Sequence, residues 1–281
     1  MKNDYAVFII SHKRPEVGTL KALEKSGYTG DYFIVIDDTD PTIEEYKSRY
    51  GEHLLVFNKE EIWEGTDTID NFKIMTCCTY PRNYCIKAAR GKGYKYLINL
   101  DDDIKSFGLR YSQGEKLLSA KIKDIGKVFE IYIKFMETAN FTCAGFIMAG
   151  RLIGGFKNPL VKNCFYSRPT NCFIMNAATT PYFKGTYYED AIYAIQNNKQ
   201  GKLTYALMPI VINGAPPMKN LDGGGMTAAY EGQNEFTQYF HIKVAEPTSI
   251  KLKVCNNGKV KTTFLENFFV PKILNEEVKK K

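Results

Sequence analysis

Short apolar runs rich in β-branched and aromatic residues alternate with helix signals through the first third of the chain. The runs predict buried strands at 5–10, 32–36, 53–57 and 96–100, and the helix signals between them span 15–26, 41–50 and 81–90. Repeated strand–helix–strand units fold into a parallel sheet through right-handed crossovers, with helices on both faces. We therefore predict an α/β fold built on a mostly parallel central sheet.

The second half of the chain carries weaker signals of the same kinds. Apolar periodicity predicts helices over 122–140 and 187–197, and strand-like runs lie at 141–149, 171–176 and 203–212. A capping pattern at Thr263 and Glu266 predicts a short helix after it. No internal repeat or linker rich in Pro, Gly or Ser interrupts the chain, so we expect one globular unit with two functional halves, 1–110 and 111–281.

The composition excludes several classes of protein. No uncharged apolar run is long enough for a membrane span, and the N-terminal residues do not form a signal peptide. Seven cysteines without a repeated spacing are typical of a reducing compartment, so we expect a cytoplasmic protein. With three histidines, the chain cannot form a His-rich metal site. The formal net charge of +7 permits a polyanionic partner such as DNA.

Three adjacent carboxylates, Asp101, Asp102 and Asp103, follow the apolar strand at 96–100. Like charges repel strongly where burial reduces solvent screening, and a divalent cation is the simplest counter-charge. Carboxylate oxygens select Mg²⁺ or Mn²⁺, which commonly arrive with a substrate phosphate. If the extended backbone persists, Asp101 and Asp103 point to one side and form an Asp-x-Asp metal pair. The alternative is an acidic turn that caps the next helix.

Two more polar clusters follow predicted parallel strands. Ser11, His12 and Arg14 come after the first strand, and Asp37 and Asp38 end the second. Ligands of open α/β sheets bind beyond the carboxyl ends of the strands. We therefore expect these clusters and the acidic triplet to meet at one edge of the sheet.

The order of these elements resembles the GT-A glycosyltransferases, in particular the inverting family-two type. The resemblance covers about residues 5–212 and rests on motifs in a fixed order. These motifs are the acidic end of the second strand, the helix start Pro81-Arg82-Asn83, the acidic triplet, and Glu189-Asp190 after Phe183-Lys184-Gly185. The resemblance implies a GT-A fold and the transfer of a sugar from a nucleotide sugar, such as a UDP-sugar.

The same resemblance implies roles for the residues that match these motifs. Asp37 or Asp38 resembles the carboxylate that hydrogen-bonds the uracil or ribose. Arg82 and Asn83 resemble the helix-start pair that faces the base. Glu189 and Asp190 resemble the catalytic acidic pair on the acceptor side, in which Asp190 is the general base for the acceptor hydroxyl. The nucleotide-sugar site is expected to comprise Ser11, His12, Arg14, Asp37, Asp38, Arg82, Asn83, Asp101 and Asp102. The expected Mn²⁺ or Mg²⁺ ligands are Asp101, Asp103 and, from the C-terminal region, His241.

Within this fold the layout is similar to the phage-encoded, TET-associated glycosyltransferases, which add a sugar to a hydroxymethylated pyrimidine in DNA. The similar features are the segment Leu100–Ile104, the Glu189-Asp190 pair and a Gly-rich C-terminal segment at 223–225. Such an enzyme would act on DNA in the cytoplasm of the host cell. It would need no membrane contact.

Two features of the sequence agree with a DNA acceptor. Five basic residues at and after the third predicted helix occur with no acid among them, so we expect a positive face near the site. These residues are Arg82, Lys87, Arg90, Lys92 and Lys95. Several aromatic side chains are candidates to stack on bases, although core packing is the commoner role. They are Tyr166, Tyr187, Tyr188, Tyr230 and Phe236.

Two alternative functions remain open on the sequence alone. The first is a glycosyltransferase for a cell-surface polysaccharide or a protein. The second belongs to a different class and is a non-catalytic module that binds a nucleotide sugar or DNA. Carboxylates at both the metal position and the base position favour an enzyme over that module.

Overall fold

The structure is a computed structural model of the chain. It describes residues 4–70, 72–158, 161, 167–214, 226, 235–256, 258, 260–269, 271–277 and 279. The predicted Gly-rich segment at 223–225 and two of the aromatic candidates, Tyr166 and Tyr230, lie outside the described residues, as does the side chain of Phe236.

Four parallel strands form one half of a large sheet. They are β1 (Tyr5–Ile10), β2 (Tyr32–Asp37), β3 (Leu54–Phe57) and β4 (Tyr96–Asp101), in the spatial order β3-β2-β1-β4. The helices of this half are α1 (Gly18–Lys25), α2 (Ile43–Tyr50), α3 (Lys59–Glu64) and α4 (Thr79–Gly91). All six residues of β1 are buried, as expected for a central strand covered on both faces. The predicted alternation of strands and helices is confirmed here.

The other half of the sheet mixes parallel and antiparallel pairs. Its strands are β5 (Ile104–Gln113), β6 (Lys116–Lys121), β7 (Phe141–Met148), β8 (Cys172–Asn176) and β9 (Leu203–Gly214). They continue the order from β4 as β8-β7-β9-β5-β6, and β8 runs antiparallel to β4. The nine-stranded sheet is therefore wholly parallel only in its first half, and in the second half β7 and β9 form a parallel pair among antiparallel ones. The sequence predicted no strands over 104–121, where β5 and β6 form a hairpin at the sheet edge.

Alternating residues of the central strands pack into two separate cores. Val7, Ile9 and Ile98 face α1, α2 and α5 (Ile125–Ala139). Phe8 and Leu97 face α4 on the opposite side. Because both faces are covered, the ends of the strands are the places where polar side chains can gather.

The C-terminal region packs against α6 (Glu189–Lys199). It consists of α7 (Glu235–Ala245), a hairpin of β10 (Ile250–Val254) and β11 (Val260–Phe264), and a 3₁₀ turn at Glu266–Phe269. Ile192 of α6 contacts Ile242 and Ile250 in one cluster, and Phe269 packs on α6 in another. Among the residues that the structure describes, no helix is both long and apolar enough to cross a bilayer.

Candidate active site

The carboxyl ends of β1, β2 and β4 meet at one edge of the sheet. Ile10 is paired with Asp101 in register, and Asp37 ends the neighbouring strand. The predicted polar clusters are therefore brought together at this edge. The start of α1 fixes the acidic turn, because the Thr19 hydroxyl donates to the Asp101 carbonyl at 2.5 Å and accepts from the Ile104 amide at 2.9 Å.

Asp37 is surrounded by hydrogen-bond donors. Its Oδ1 accepts from the Thr39 amide at 3.0 Å and lies 2.9 Å from Lys59 Nζ, while its Oδ2 lies 3.2 Å from His12 Nδ1. Burial favours the neutral acid, but the donors from His12, Thr39 and Lys59 outweigh it and lower the pKa of Asp37. His12 Nδ1 also lies 3.4 Å from Asp40 Oδ2. Its two carboxylate neighbours thus fix the orientation of the His12 ring.

Asp38 is exposed and serves the next helix. Its Oδ1 accepts from the Lys59 amide at 3.1 Å, and its Oδ2 accepts from Asn58 Nδ2 at 3.0 Å. Asn58 is the N-cap of α3, because its side chain accepts from the Glu61 amide at 2.8 Å. Asp38 therefore supports the start of α3 in this structure.

Asp102 points toward the segment after β1. Its Oδ2 accepts from the Ser11 hydroxyl at 2.7 Å, and its Oδ1 pairs with Arg14 Nη1 at 3.0 Å. Burial raises the pKa of Asp102, although Arg14 and Ser11 oppose that shift. The basic partner of Asp102 is therefore Arg14.

Asp101 points the other way, toward α4 and β8. Its Oδ2 accepts from Asn171 Nδ2 at 2.6 Å. Its Oδ1 lies 2.9 Å from Arg82 Nη2, but no N–H bond is directed at it, and this buried oxygen has no hydrogen bond. Asp101 Oδ1 therefore has an ion-pair contact with Arg82 but accepts no hydrogen bond.

Arg82 is buried between the acidic turn after β4 and Glu189 at the start of α6. Its Nη1 donates to Asn99 Oδ1 at 2.7 Å and its Nε donates to Glu189 Oε1 at 3.2 Å. The guanidinium also lies over the Phe173 ring at 4.7 Å. Only 2 % of the Arg82 side chain is exposed, and the nearby carboxylates of Asp101 and Glu189 outweigh burial and raise its pKa. Arg82 therefore connects the acidic turn after β4 to the start of α6.

Apart from its own backbone amide, Asp103 has no hydrogen-bond donor or ion-pair partner among the described residues. Burial raises its pKa to about 6, and the adjacent charges of Asp101 and Asp102 act in the same direction. A half-buried carboxylate next to two others is a high-energy arrangement in the absence of a cation.

Glu189 and Asp190 begin α6 and face different partners. Glu189 is buried against Arg82, and burial raises its pKa while Arg82 opposes the shift. Asp190 Oδ2 accepts from Arg168 Nε at 2.8 Å, whereas Asp190 Oδ1 has no donor within the part of the chain that the structure describes. The Arg168 guanidinium lies over two rings, 4.6 Å from the centre of Phe264 and 4.9 Å from that of Phe269.

A comparison with known protein families agrees with this arrangement. The family model of the TET-associated glycosyltransferases matches residues 5–215, which include all of the sheet and the Asp101, Asp103 and Asp190 carboxylates. This chain belongs to the TET-associated glycosyltransferase family. A search of curated proteins finds no match. The fold is consistent with the GT-A type, so the expected family, fold and enzyme class are confirmed.

The residues of this glycosyltransferase fit a hard divalent cation at the acidic turn. Asp103 has no partner among the other described residues, and Asp101 Oδ1 lacks a hydrogen bond. No group of three or more His, Cys, Asp or Glu side chains suited to a metal is found in the described residues. Mg²⁺ needs no such group, because it is commonly held by one or two carboxylates together with substrate phosphates and water.

His241 does not join the acidic turn. Its Nδ1 lies 3.1 Å from Asp70 Oδ2, and its Nε2 accepts from the Thr186 amide at 3.2 Å. Both ring nitrogens are therefore engaged, and neither is left for a metal. Burial lowers the pKa of His241, and Asp70 opposes that shift. We correct the expectation of a third metal ligand here, because His241 instead fixes the loop before Glu189.

Arg82 and Asn83 also differ from the expected orientation toward a nucleobase. Asn83 Oδ1 accepts from the Phe183 amide at 2.7 Å, and its Nδ2 donates to the Phe183 carbonyl at 3.0 Å. The side chains of Arg82 and Asn83 are both buried. They organise the loop before α6 and the acidic turn, and they do not line an open nucleobase site.

The predicted basic face after Arg82 is not a free positive surface. Lys87 pairs with Glu61 at 2.6 Å and Lys95 pairs with Glu137 at 2.6 Å. Arg90 donates to the carbonyls of Ala177 and Thr180. The segment also leads into the start of β4, at the end opposite Asp101. Its charges are thus used locally and lie away from the acidic turn.

Some residues of the site carry no sequence signal that singled them out. Arg168 binds Asp190, and Lys59 and Asp40 surround His12 and Asp37. Asn171, at the start of the predicted strand 171–176, binds Asp101. Of the aromatic candidates, Tyr187 is buried and Tyr188 packs against Phe264 with ring centres 5.7 Å apart. These contacts join segments that are distant in sequence, so no local pattern could reveal them.

Proposed function

We propose that this glycosyltransferase moves a sugar from a UDP-linked donor to the hydroxymethyl group of a modified pyrimidine in DNA. The family supports a glycosyltransferase of modified DNA bases. Two carboxylates with unused oxygen atoms, Asp103 and Asp190, support the reaction best. Arg82 links their neighbours, because it contacts both Asp101 and Glu189.

In the proposed reaction, Asp190 is the general base. Its Oδ1 accepts the proton of the hydroxymethyl group, while Arg168 holds Oδ2. The hydroxyl oxygen then forms a bond to the anomeric carbon as the bond from that carbon to the diphosphate breaks. Attack from the face opposite the leaving group inverts the configuration, through an oxocarbenium-like transition state.

The acidic turn would hold the donor diphosphate. Asp101 Oδ1 and Asp103 would bind Mn²⁺ or Mg²⁺, which supplies positive charge to the departing diphosphate when bound. Ser11 and Arg14 keep Asp102 turned away from that position, toward β1. Asp102 therefore supports the turn and is not among the proposed metal ligands.

The nucleoside would lie beside the segment after β1. His12 is held there by Asp37 and Asp40 through Nδ1, so its Nε2 faces away from both carboxylates. We include His12, Ser11 and Arg14 in the proposed nucleotide-sugar site. Asp37 is the support of His12, because its own oxygens already receive donors from Thr39 and Lys59.

The proposed reaction can be tested with purified protein, Mn²⁺, UDP-sugars and DNA that contains 5-hydroxymethylcytosine or 5-hydroxymethyluracil. The DNA is then digested to nucleosides and analysed by mass spectrometry. We expect the mass of one hexose or pentose on the modified nucleoside. The absence of an added sugar with every donor and base would contradict the DNA acceptor. Transfer of the sugar to a polysaccharide or protein acceptor instead would support the alternative glycosyltransferase function.

The role of Asp190 has its own test. Asp190→Asn removes the proton acceptor but keeps the shape, so we expect the transfer rate to fall by about 10²–10⁴-fold. The affinity for UDP, measured by calorimetry, should stay within about twofold, because Asp190 lies on the acceptor side. A large loss of UDP affinity would instead place Asp190 at the donor.

A further inference from the structure

The C-terminal hairpin of β10 and β11 projects from the body of the protein. At its base, Ile250 is 2 % exposed and packs against Ile192 and Ile242. Beyond the base, every residue of β10 is exposed, including the apolar Leu252 and Val254. The hairpin lies outside the family match at 5–215. It is therefore an addition to the part of the enzyme that the family model describes.

This hairpin carries a concentrated positive charge. Residues 250–264 contain four lysines and no acidic residue, whereas the whole chain has a formal net charge of +7. More than half of the net charge of the protein is thus found in this short segment. Lys251 and Lys253 are exposed on the same face of β10, and neither forms an ion pair with any residue that the structure describes. Backbone register pairs Lys251 with Thr263 and Lys253 with Lys261.

This concentration of positive charge does not stabilise the folded protein on its own. Lys251 and Lys253 are exposed neighbours on one face of β10, and like charges in this arrangement repel each other. The other exposed lysines described above are neutralised by Glu61 and Glu137. A polyanionic partner would remove the repulsion along the hairpin and recover counterion entropy.

The hairpin is joined directly to the acceptor side of the active site. Phe264, the last residue of β11, covers the Arg168 guanidinium at 4.6 Å, and Arg168 binds Asp190 at 2.8 Å. Lys253 is paired with Lys261, three residues before Phe264, which is roughly 10 Å at about 3.3 Å per residue. One strand of a duplex places a phosphate about every 3.4 Å along the helix axis, so a span of roughly 10 Å covers about three successive phosphates.

We propose that the β10–β11 hairpin is a contact for the DNA phosphate backbone and holds the duplex beside Asp190. Lys251 and Lys253 bind phosphates flanking the modified base, without reading sequence. A two-stranded ribbon has dimensions that the major groove accepts, which is also where a hydroxymethyl group at C5 of a pyrimidine lies. This inference rests on the proposed DNA acceptor and adds a binding surface to it.

The test compares two double variants with the same change of charge. Lys251→Gln/Lys253→Gln removes the hairpin charges. Lys123→Gln/Lys127→Gln removes two exposed lysines near Gly126, whose carbonyl accepts from the Tyr5 hydroxyl at the opposite edge of the sheet. Fluorescence anisotropy with a labelled, unmodified duplex gives affinity from about 50 to 200 mM salt. Thermal unfolding of each variant verifies that it folds like the wild type.

We expect the hairpin variant to bind DNA on the order of tenfold more weakly at ~100 mM salt. The slope of log affinity against log salt should fall by about 2, one for each phosphate contact. The control variant should keep the wild-type slope. In the sugar-transfer assay, the hairpin variant should lose kcat/KM on duplex DNA but retain the wild-type rate on a hydroxymethylated nucleoside.

The possible failures can be told apart. A hairpin variant with the wild-type salt slope overturns the DNA contact, even if the enzyme glycosylates DNA. A wild-type protein that binds DNA through the hairpin but transfers no sugar to it contradicts the proposed function and leaves the contact standing. Hairpin-dependent binding to phosphatidylserine vesicles, with DNA affinity unchanged, would make the partner a membrane surface and overturn the proposal.

Discussion

Two acidic runs stand at the ends of β2 and β4 in the same sheet. Their carboxylates differ in the number of hydrogen-bond donors that surround them. At the end of β2, Asp37 and Asp38 receive donors from His12, Thr39, Asn58 and Lys59. At the end of β4, Asp103 receives none from the other residues that the structure describes, and Asp101 Oδ1 has no hydrogen bond. The carboxylates of the first run are fully used by donors, whereas the second run leaves a buried carboxylate oxygen without a hydrogen bond. The number of donors around a carboxylate therefore distinguishes an acid that supports the fold from an acid that can take part in a reaction.

The pKa values follow the same division. Donors lower the pKa of Asp37, whereas burial and like charge raise the pKa of Asp103 to about 6. A raised pKa in a cleft is a common property of functional carboxylates. Exchanging or removing these acids should therefore affect activity at one run and stability at the other.

The largest expected effect is at Asp103. Asp103→Asn should lower kcat/KM for sugar transfer by about a thousandfold, because metal stabilisation of a leaving group contributes several kcal/mol. Calorimetric titration with UDP should show that Mn²⁺ no longer increases its affinity. Asp38→Asn is the matched control and should keep activity within about twofold. Equal losses in the two variants would remove the distinction between the runs.

At the other run, Asp37→Asn should mainly reduce stability. It leaves the buried Lys59 ammonium without its carboxylate, and breaking a buried ion pair costs about 3–5 kcal/mol. Urea unfolding at neutral pH measures this change. Since the folded pKa of Asp37 is lowered, its contribution should be complete at neutral pH and decline below about pH 4. A stable Asp37→Asn variant would show that the donors around it are not needed for the fold.

A smaller effect should appear in the pH dependence of the metal-free enzyme. The folded pKa of Asp103, about 6, exceeds its ordinary value of 3.8, so the folded state holds this proton more tightly. Stability relative to Asp103→Asn should therefore fall by about 2 kcal/mol as pH rises from roughly 4 to 6. Thermal unfolding in EDTA measures the difference, and saturating Mn²⁺ should abolish it. A pH-independent difference would mean that Asp103 titrates normally.

The smallest effect should be at Asp38. Asn at position 38 can still accept from the Lys59 amide but places an NH₂ donor opposite Asn58 Nδ2, so we expect a loss of stability of about 1 kcal/mol, the size of one hydrogen bond. Urea unfolding of Asp38→Asn measures it, beside Asp37→Asn as the larger case. If Asp38→Asn were instead inactive but fully stable, Asp38 would contact the donor nucleotide.

The parallel half of the sheet could be predicted because each buried strand is a continuous apolar run that ends in polar residues. Tyr5–Ile10 and Tyr96–Asp101 are examples. The β5–β6 hairpin could not, because half-exposed edge strands such as Lys116–Lys121 alternate weakly. The antiparallel place of β8 beside β4 depends on contacts across more than seventy residues. Local periodicity contains no information about such pairings.

The sequence likewise predicts one part of the candidate site and not the rest. The convergence of Asp37 and Asp101 follows from strand order, which the sequence indicates. The orientation of Arg82 does not, because arginine is ordinarily exposed, and here Asp101, Asn99 and Glu189 together hold it inside. Likewise, nothing in the sequence near His241 indicates that Asp70 and Thr186 occupy both of its nitrogens.

The contacts of His241 also limit how the enzyme can be shortened. A protein cut after residue 215 would contain everything that the family model matches, but not His241, Phe264 or Phe269. Asp70 and the Thr186 amide would lose a shared partner, and Arg168 would lose the rings that cover it. A shortened enzyme made from this protein must therefore keep the C-terminal region, because the family core alone leaves Arg168, the partner of Asp190, without the rings that cover it.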